Sequence, residues 1–215
     1  MRRAPWHARC SLLRRRKALS LTPTNIEFDG RTALLVVDVQ NDFAHPSGNL
    51  YVEGAEELVD PINALVGRAV AEGAFVVYTQ DYHPQVTPHF REQGGPWPKH
   101  CVQGTWGAEL VAGLEIAGPI LRKGMGGDNG YSGFVVRDQK GVTQPTDLAR
   151  LLRARRIERV VVCGLAQDVC VKDTALDAAR LGFECEVLLE ATRPVDEGAL
   201  ESVLDELARG GVTVT

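Results

Sequence analysis

From Asp29 onward the chain alternates short apolar runs with helical stripes, and that alternation restricts the fold more than any other feature. The run "TALLVVDV" is apolar at nearly every position, as a strand buried on both faces must be; a strand with one wet face would alternate instead. "AEELVDPINALVGRAVAEG" then sets Leu58, Ile62, Leu65, Val66, Ala69 and Val70 on one helical stripe, which Gly73 ends. "AFVVYT", "GPILRK", "RVVVCG", "CEVLLE" and "VTVT" read as the remaining strands. Between them "GAELVAGL" reads as a short helix and "TDLARLLRARR" as a helix capped by Thr146 or Asp147. "DVCVKDTALDAARLG" reads as a helix closed by Gly182, and "DEGALESVLDELARGG" as the last helix. Parallel strands need crossovers, and helices supply them. The pattern therefore predicts an α/β fold of three layers, α/β/α, with a mostly parallel sheet of about six strands. No repeat or low-complexity linker divides residues 29–215, which read as one domain.

Residues 1–28 stand apart, because "MRRAPWHARCSLLRRRKALSL" is rich in Arg and holds no acid. An unstructured basic extension is the reading adopted, with a mitochondrial-type presequence as its competitor. A secretory signal fits poorly, since no apolar core of about 7–15 residues follows the charges. The net charge of −4 leaves no electrostatic footprint for nucleic acid. No run approaches the roughly 20 apolar residues of a membrane-spanning helix. Five cysteines without framework spacing fit a reducing, cytoplasmic setting. A homo-oligomer is compatible with all of this.

Open α/β sheets bind ligands outside the carboxyl ends of their strands. The first predicted strand ends at Asp38, the second at Asp81 and the third at Lys123, and the fourth leads into Cys170. Cys170 falls in the first turn of a predicted helix, where free amides and the helix dipole favour a thiolate. Cys163, inside an apolar strand, reads as a packing residue, and Cys10, Cys101 and Cys185 have no surroundings that suggest chemistry. Asp38 should be desolvated, with a raised pKa suited to a general base. Asp42 reads as a capping group, and Lys123 as a cation able to pair with Asp38 and stabilise a thiolate. The loop "TQDYHPQVTPHF" carries Asp81, His83 and His89, and "WPKHC" adds His100, from a chain with only five histidines. One carboxylate with imidazoles suits a borderline divalent ion such as zinc, iron or manganese. Loop histidines can also bind nothing, but a loop this long inside a compact domain weighs towards function.

Taken in order, "VVDVQNDF", "DYHPQVTPHF" with "WPKHC", "RKGMGGDNGYSGF" and "VCGLAQDVCV" resemble the nicotinamidase/pyrazinamidase branch of the isochorismatase-like cysteine hydrolases over residues 30–215. The resemblance implies an isochorismatase-like, Rossmann-like fold with Asp38, Lys123 and Cys170 as the catalytic triad. It implies an oxyanion hole from the Ala166 and Cys170 amides, beside a cis Leu165–Ala166 peptide. It also implies that Phe43, Trp97 and Tyr131 wall a ring pocket. Asp81, His83 and His89 become ligands of one divalent ion, zinc being favoured over iron or manganese, with His100 at the same site. The implied substrate is a small aromatic amide: nicotinamide, and pyrazinamide with it, would be hydrolysed to the acid and ammonia through a cysteine thioester, in NAD salvage. Two departures bear on substrate range. Val169 stands before the nucleophile where the branch commonly has histidine, and "KGMGGDNGYSGF" has its own composition. The rival within the superfamily is hydrolysis of an N-carbamoyl or ureido compound, against which the metal loop speaks. The rival from outside is a non-catalytic scaffold, against which the three reacting residues speak.

Overall fold

The first apolar run becomes β1 (Thr32–Val37), and every residue of it is buried. The reason is its place at the centre of the sheet, hydrogen-bonded in parallel to β2 (Phe75–Asp81) on one side and β6 (Arg159–Leu165) on the other. The computed structural model describes residues 26–127, 129–138 and 140–215; the expected basic extension lies outside them up to residue 25. With β3 (Ile120–Lys123), β7 (Glu184–Arg193) and β8 (Thr213–Val214), the strands order as β3-β2-β1-β6-β7-β8, all parallel. The six-stranded parallel sheet expected from the alternation is thus present.

Alternation along β1 feeds two cores. Leu34 and Val36 face α2 (Val59–Ala71), which contributes Ile62, Leu65, Val66 and Ala69. Ala33, Leu35 and Val37 face the other side, where α3 (Leu148–Ala154), α4 (Lys172–Arg180) and α5 (Leu200–Arg209) supply Leu148, Leu152, Ala175, Leu176, Val203 and Leu207. Val70 departs from its expected stripe and is exposed. Ile26 and Phe28 are buried, the Phe28 N–H donates to Glu72 (2.9 Å), and Arg68 donates to the Ile26 carbonyl. No helix among the described residues is long and apolar enough to cross a membrane.

Local structure differs from the sequence expectation in three places, and at α3 it selects between two offered caps. "GAELVAGL" is irregular beyond a single 3-10 turn at Trp106–Ala108, because so short a segment cannot repay helix nucleation. Asn41–Ala44 forms a one-turn helix, α1, directly after β1. An antiparallel hairpin of β4 (Val135–Arg137) and β5 (Thr143–Pro145) occupies the segment before α3, too short and too exposed to leave an apolar pattern. At α3 the cap is Thr146, whose Oγ1 accepts from the Leu148 N–H (3.2 Å), while Asp147 makes no capping bond.

The sheet order reverses between β1 and β6, since the chain builds outward from β1 in one direction and from β6 in the other. A crevice opens beyond the carboxyl ends at such a point. Gly164 keeps it close-packed: at φ +107, a Cβ there would lie 2.2 Å from the Val37 carbonyl oxygen.

Candidate active site

Four side chains meet at that crevice. Asp38 is the residue after β1, and its backbone is left-handed (φ +49), a conformation uncommon outside glycine. The turn drives the carboxylate across β2, where Oδ1 accepts from the Thr79 hydroxyl (2.7 Å). Lys123 ends β3 in register with Asp81, at the end of β2. Its ammonium is 2.7 Å from Asp38 Oδ2, 3.7 Å from Asp81 Oδ1 and 3.6 Å from Cys170 Sγ, and it donates to the Gly130 carbonyl. Cys170 lies in a π-helical turn, Gln167–Val171, that leads into α4. The Ala166 carbonyl accepts from the Val169 and Val171 amides (3.1 and 3.0 Å), and the Leu165–Ala166 peptide is cis.

Charge is divided unequally among these groups. Burial and the neighbouring Asp81 charge raise the Asp38 pKa, against the pull of Lys123. Burial would also raise Asp81, but Lys123, His83 and His100 outweigh it and hold Asp81 well below the usual carboxylate range. Lys123, although buried, is held protonated by the two carboxylates. At Cys170 burial works against the thiolate that a helix terminus favours. Burial pushes the thiol well above its ordinary value, Lys123 opposes this, and a hydrogen bond to Asp38 reinforces it. The site thus sets a buried thiol beside a carboxylate of raised pKa, with Lys123 in contact with both.

Next to Asp38, Lys123 and Cys170 stand His83, His89 and His100, all buried, with one donor atom of each within 4.8 Å of the others. Asp81 Oδ2 reaches into this cluster, 2.9 Å from His83 Nε2 and 3.5 Å from His100 Nε2. The donor set fits a divalent ion on three observations. His100 Nδ1 contacts the Pro98 carbonyl (2.7 Å), which as acceptor puts the proton on Nδ1 and leaves Nε2 a lone pair. Burial and the other imidazoles lower the His89 pKa to about 4, so that ring is neutral. His83 Nδ1 is buried with no hydrogen-bond partner. Gly124 (φ +71) closes over the cluster, and a Cβ there would come within 2.8 Å of His83 Nδ1.

Phe43, Trp97 and Tyr131 line one small cavity together with His89, His100, Ala166 and Cys170. The Trp97 Nε1–H donates to the Tyr131 hydroxyl (2.8 Å), so two of the walls brace each other. The chain matches the isochorismatase domain over residues 32–215. The chain belongs to the isochorismatase family. Within this family it is 38% identical to the nicotinamidase of Acinetobacter baylyi, across 84% of this chain and 90% of that relative. Among solved structures it resembles PnC1 from L. infantum in complex with nicotinate (40% identity, TM-score 0.81, covering 88% of this chain and 95% of that one). It resembles likewise the pyrazinamidase of Pyrococcus horikoshii in complex with zinc (39% identity, TM-score 0.78, covering 86% and 98%).

The isochorismatase-family site has supports that the sequence did not single out. Gln40 locks the first two strand ends together: its Oε1 accepts from the Asp81 N–H (2.7 Å) and its Nε2 donates to the Asp81 carbonyl (2.8 Å). Asp42 caps no helix. It is buried and accepts from the Cys101 and Asn49 amides (2.7 and 2.9 Å), tying the loop of His100 to the loop of Leu50. Leu50, Asp81, Val169 and Val195 complete the cavity wall. Thr79 and Gln40 carried a weak signal, being polar residues in or beside apolar runs; Leu50 and Val195 carried none. Cys163 is buried, as expected, and burial pushes its thiol up to about 12.

Proposed function

We propose that this chain is a nicotinamidase that hydrolyses nicotinamide, and pyrazinamide by the same route, to the acid and ammonia in NAD salvage. One observation carries the reading: Lys123 contacts both Asp38 and Cys170, and Cys170 lines a cavity whose other walls include His89, His100 and three aromatic rings. Amide cleavage needs a nucleophile and a proton carrier, and a pyridine ring needs flat walls and a partner for its nitrogen.

In the first half-reaction Asp38 accepts the Cys170 proton as sulfur attacks the amide carbon. Lys123, beside both groups, stabilises the thiolate as it forms. The Ala166 and Cys170 amides are assigned to the oxyanion. Asp38 then returns the proton to the departing nitrogen, so ammonia leaves and a thioester remains. In the second half-reaction Asp38, again a carboxylate, takes a proton from water, hydroxide adds to the thioester, and the proton passes to the sulfur. The acid leaves and the thiol is restored. Asp81, His83, His89 and His100 would hold one divalent ion, zinc by their nitrogen-rich chemistry. When bound, the ion supplies a Lewis-acid contact for the ring nitrogen. The protein's own part there is to keep the ring against Phe43, Trp97 and Tyr131 with the carboxamide towards Cys170.

An N-carbamoyl or ureido substrate would have no use for aromatic walls or an imidazole cluster. Four buried, free cysteines (Cys101, Cys163, Cys170 and Cys185) support a reducing, cytoplasmic setting. The test is ammonia release from nicotinamide, with and without chelator and with zinc added back. No release from a metal-replete preparation would end the proposal.

A further inference from the structure

The cavity facing Cys170 is smaller than the molecule it is proposed to receive. Its volume is about 30 Å³, room for a water or two, and a pyridine carboxamide needs several times that. Part of the wall must yield for a ring to enter. Phe43, Ala166 and Cys170 are embedded in the body of the fold, and Trp97 is braced against Tyr131. Val195 differs from these. It lines the same cavity, yet it is 45% exposed and so belongs to the outer rim.

Val195 sits on a short arch. β7 ends at Arg193, Pro194 follows, and a 3-10 turn at Glu197–Ala199 leads into α5. Pro194 has no N–H with which to anchor the arch. Asp168 provides the anchor: Oδ1 accepts the Val195 N–H (2.9 Å) and Oδ2 accepts the Asp196 N–H (3.0 Å). Both oxygens of one carboxylate therefore hold two successive amides. Asp168 belongs to the Gln167–Val171 turn that carries Cys170. The turn that carries Cys170 is thereby fastened to the exposed rim of the cavity.

We propose that Val195 is a specificity-determining residue that sets how bulky a ring the pocket admits, and that Asp168 is the positioning residue that sets where Val195 stands. The inference rests on the nicotinamidase reading and extends it to substrate selection. Asp168 does not touch the reacting atoms; it acts through the arch.

The test is steady-state kinetics with nicotinamide and a set of singly ring-methylated nicotinamides, alongside the rate of Cys170 alkylation. Val195→Ala removes two methyl groups from the rim. It should raise kcat/KM for at least one methylated amide, relative to nicotinamide, by about tenfold or more, since a methyl-sized change in an apolar pocket is worth about 10–200-fold. Asp168→Ala should shift the same ratio in the same direction, raise the nicotinamide KM more than it lowers kcat, and leave the alkylation rate of Cys170 as in the wild type. Asp168→Asn, which keeps one acceptor oxygen, should fall between. An unchanged ratio in Val195→Ala overturns the inference while wild-type turnover of nicotinamide leaves the parent reading standing. A fall in kcat for Asp168→Ala, with KM and the ratio unchanged, overturns the positioning role. Absence of nicotinamide turnover in the wild type removes both.

Discussion

Replacing Asp38 by Asn separates two effects that usually travel together. The change keeps the shape and removes the charge. Thr79 can accept as readily as donate, so a hydrogen bond at 2.7 Å survives in either orientation of the new amide. What is lost is the charge 2.7 Å from the Lys123 ammonium. At an effective dielectric constant of about 20, that attraction is about 6 kcal/mol and the one to Asp81 at 3.7 Å about 4 kcal/mol. Breaking a buried pair costs about 3–5 kcal/mol, and because Lys123 keeps Asp81 the lower end applies. With about 2–4 °C per kcal/mol for a domain this size, Tm should fall by about 6–12 °C. Amide hydrolysis should fall by about 10²–10⁴-fold, the usual contribution of a positioned acid–base group. The thiol should move the other way. The Asp38 charge and its hydrogen bond both raise the Cys170 pKa while Lys123 lowers it, so Asn leaves Lys123 less opposed. The midpoint of Cys170 alkylation against pH should therefore shift down. A more reactive sulfur in a slower enzyme is the signature of a base that must carry the proton onward to ammonia. An alkylation midpoint that stays put or rises, or hydrolysis within about tenfold of wild type, would refute the assignment of Asp38.

Cys170→Ala should abolish ammonia release with the circular dichroism spectrum unchanged, whereas Cys163→Ala should keep most activity and lower Tm, since its buried thiol contributes packing and a weak hydrogen bond to the Leu35 carbonyl (3.7 Å); turnover by purified Cys170→Ala ends the nucleophile assignment. His83→Ala should weaken nicotinamide binding far more than it slows alkylation of Cys170. It should also discriminate less between nicotinamide and benzamide, which lacks the ring nitrogen; equal discrimination in both proteins would count against the ring-nitrogen contact. Gly124→Ala forces a Cβ to within 2.8 Å of His83 at a φ of +71 and should cost zinc affinity in a chelator competition, measurable without turnover; an unchanged affinity would show that the loop gives way instead.

The strands of the main sheet were legible in the sequence, because strands buried on both faces read as near-continuous apolar runs and most crossovers between parallel strands are helical. The same logic read Asp81 and Lys123 correctly as strand ends. A charged residue closing an apolar run marks the place where the chain leaves the core. Asp38 was legible as a desolvated carboxylate for that reason, though not the left-handed turn that swings it across β2 onto Thr79. The hairpin of β4 and β5 left no pattern, since exposed three-residue strands bury almost nothing. The burial of Cys170 was not legible for a related reason: a helix terminus is a local property, but the packing around the turn comes from β6, β7 and α4, with Tyr131 against the same core. Lys123 poised between two carboxylates, Asp42 tying the loop of His100 to that of Leu50, and Asp168 holding Val195 over the pocket all join segments distant in sequence. Sequence periodicity reports whether a residue faces the core or water. Which residue it meets there is set by strand order and register, and those are decided only when the whole sheet assembles.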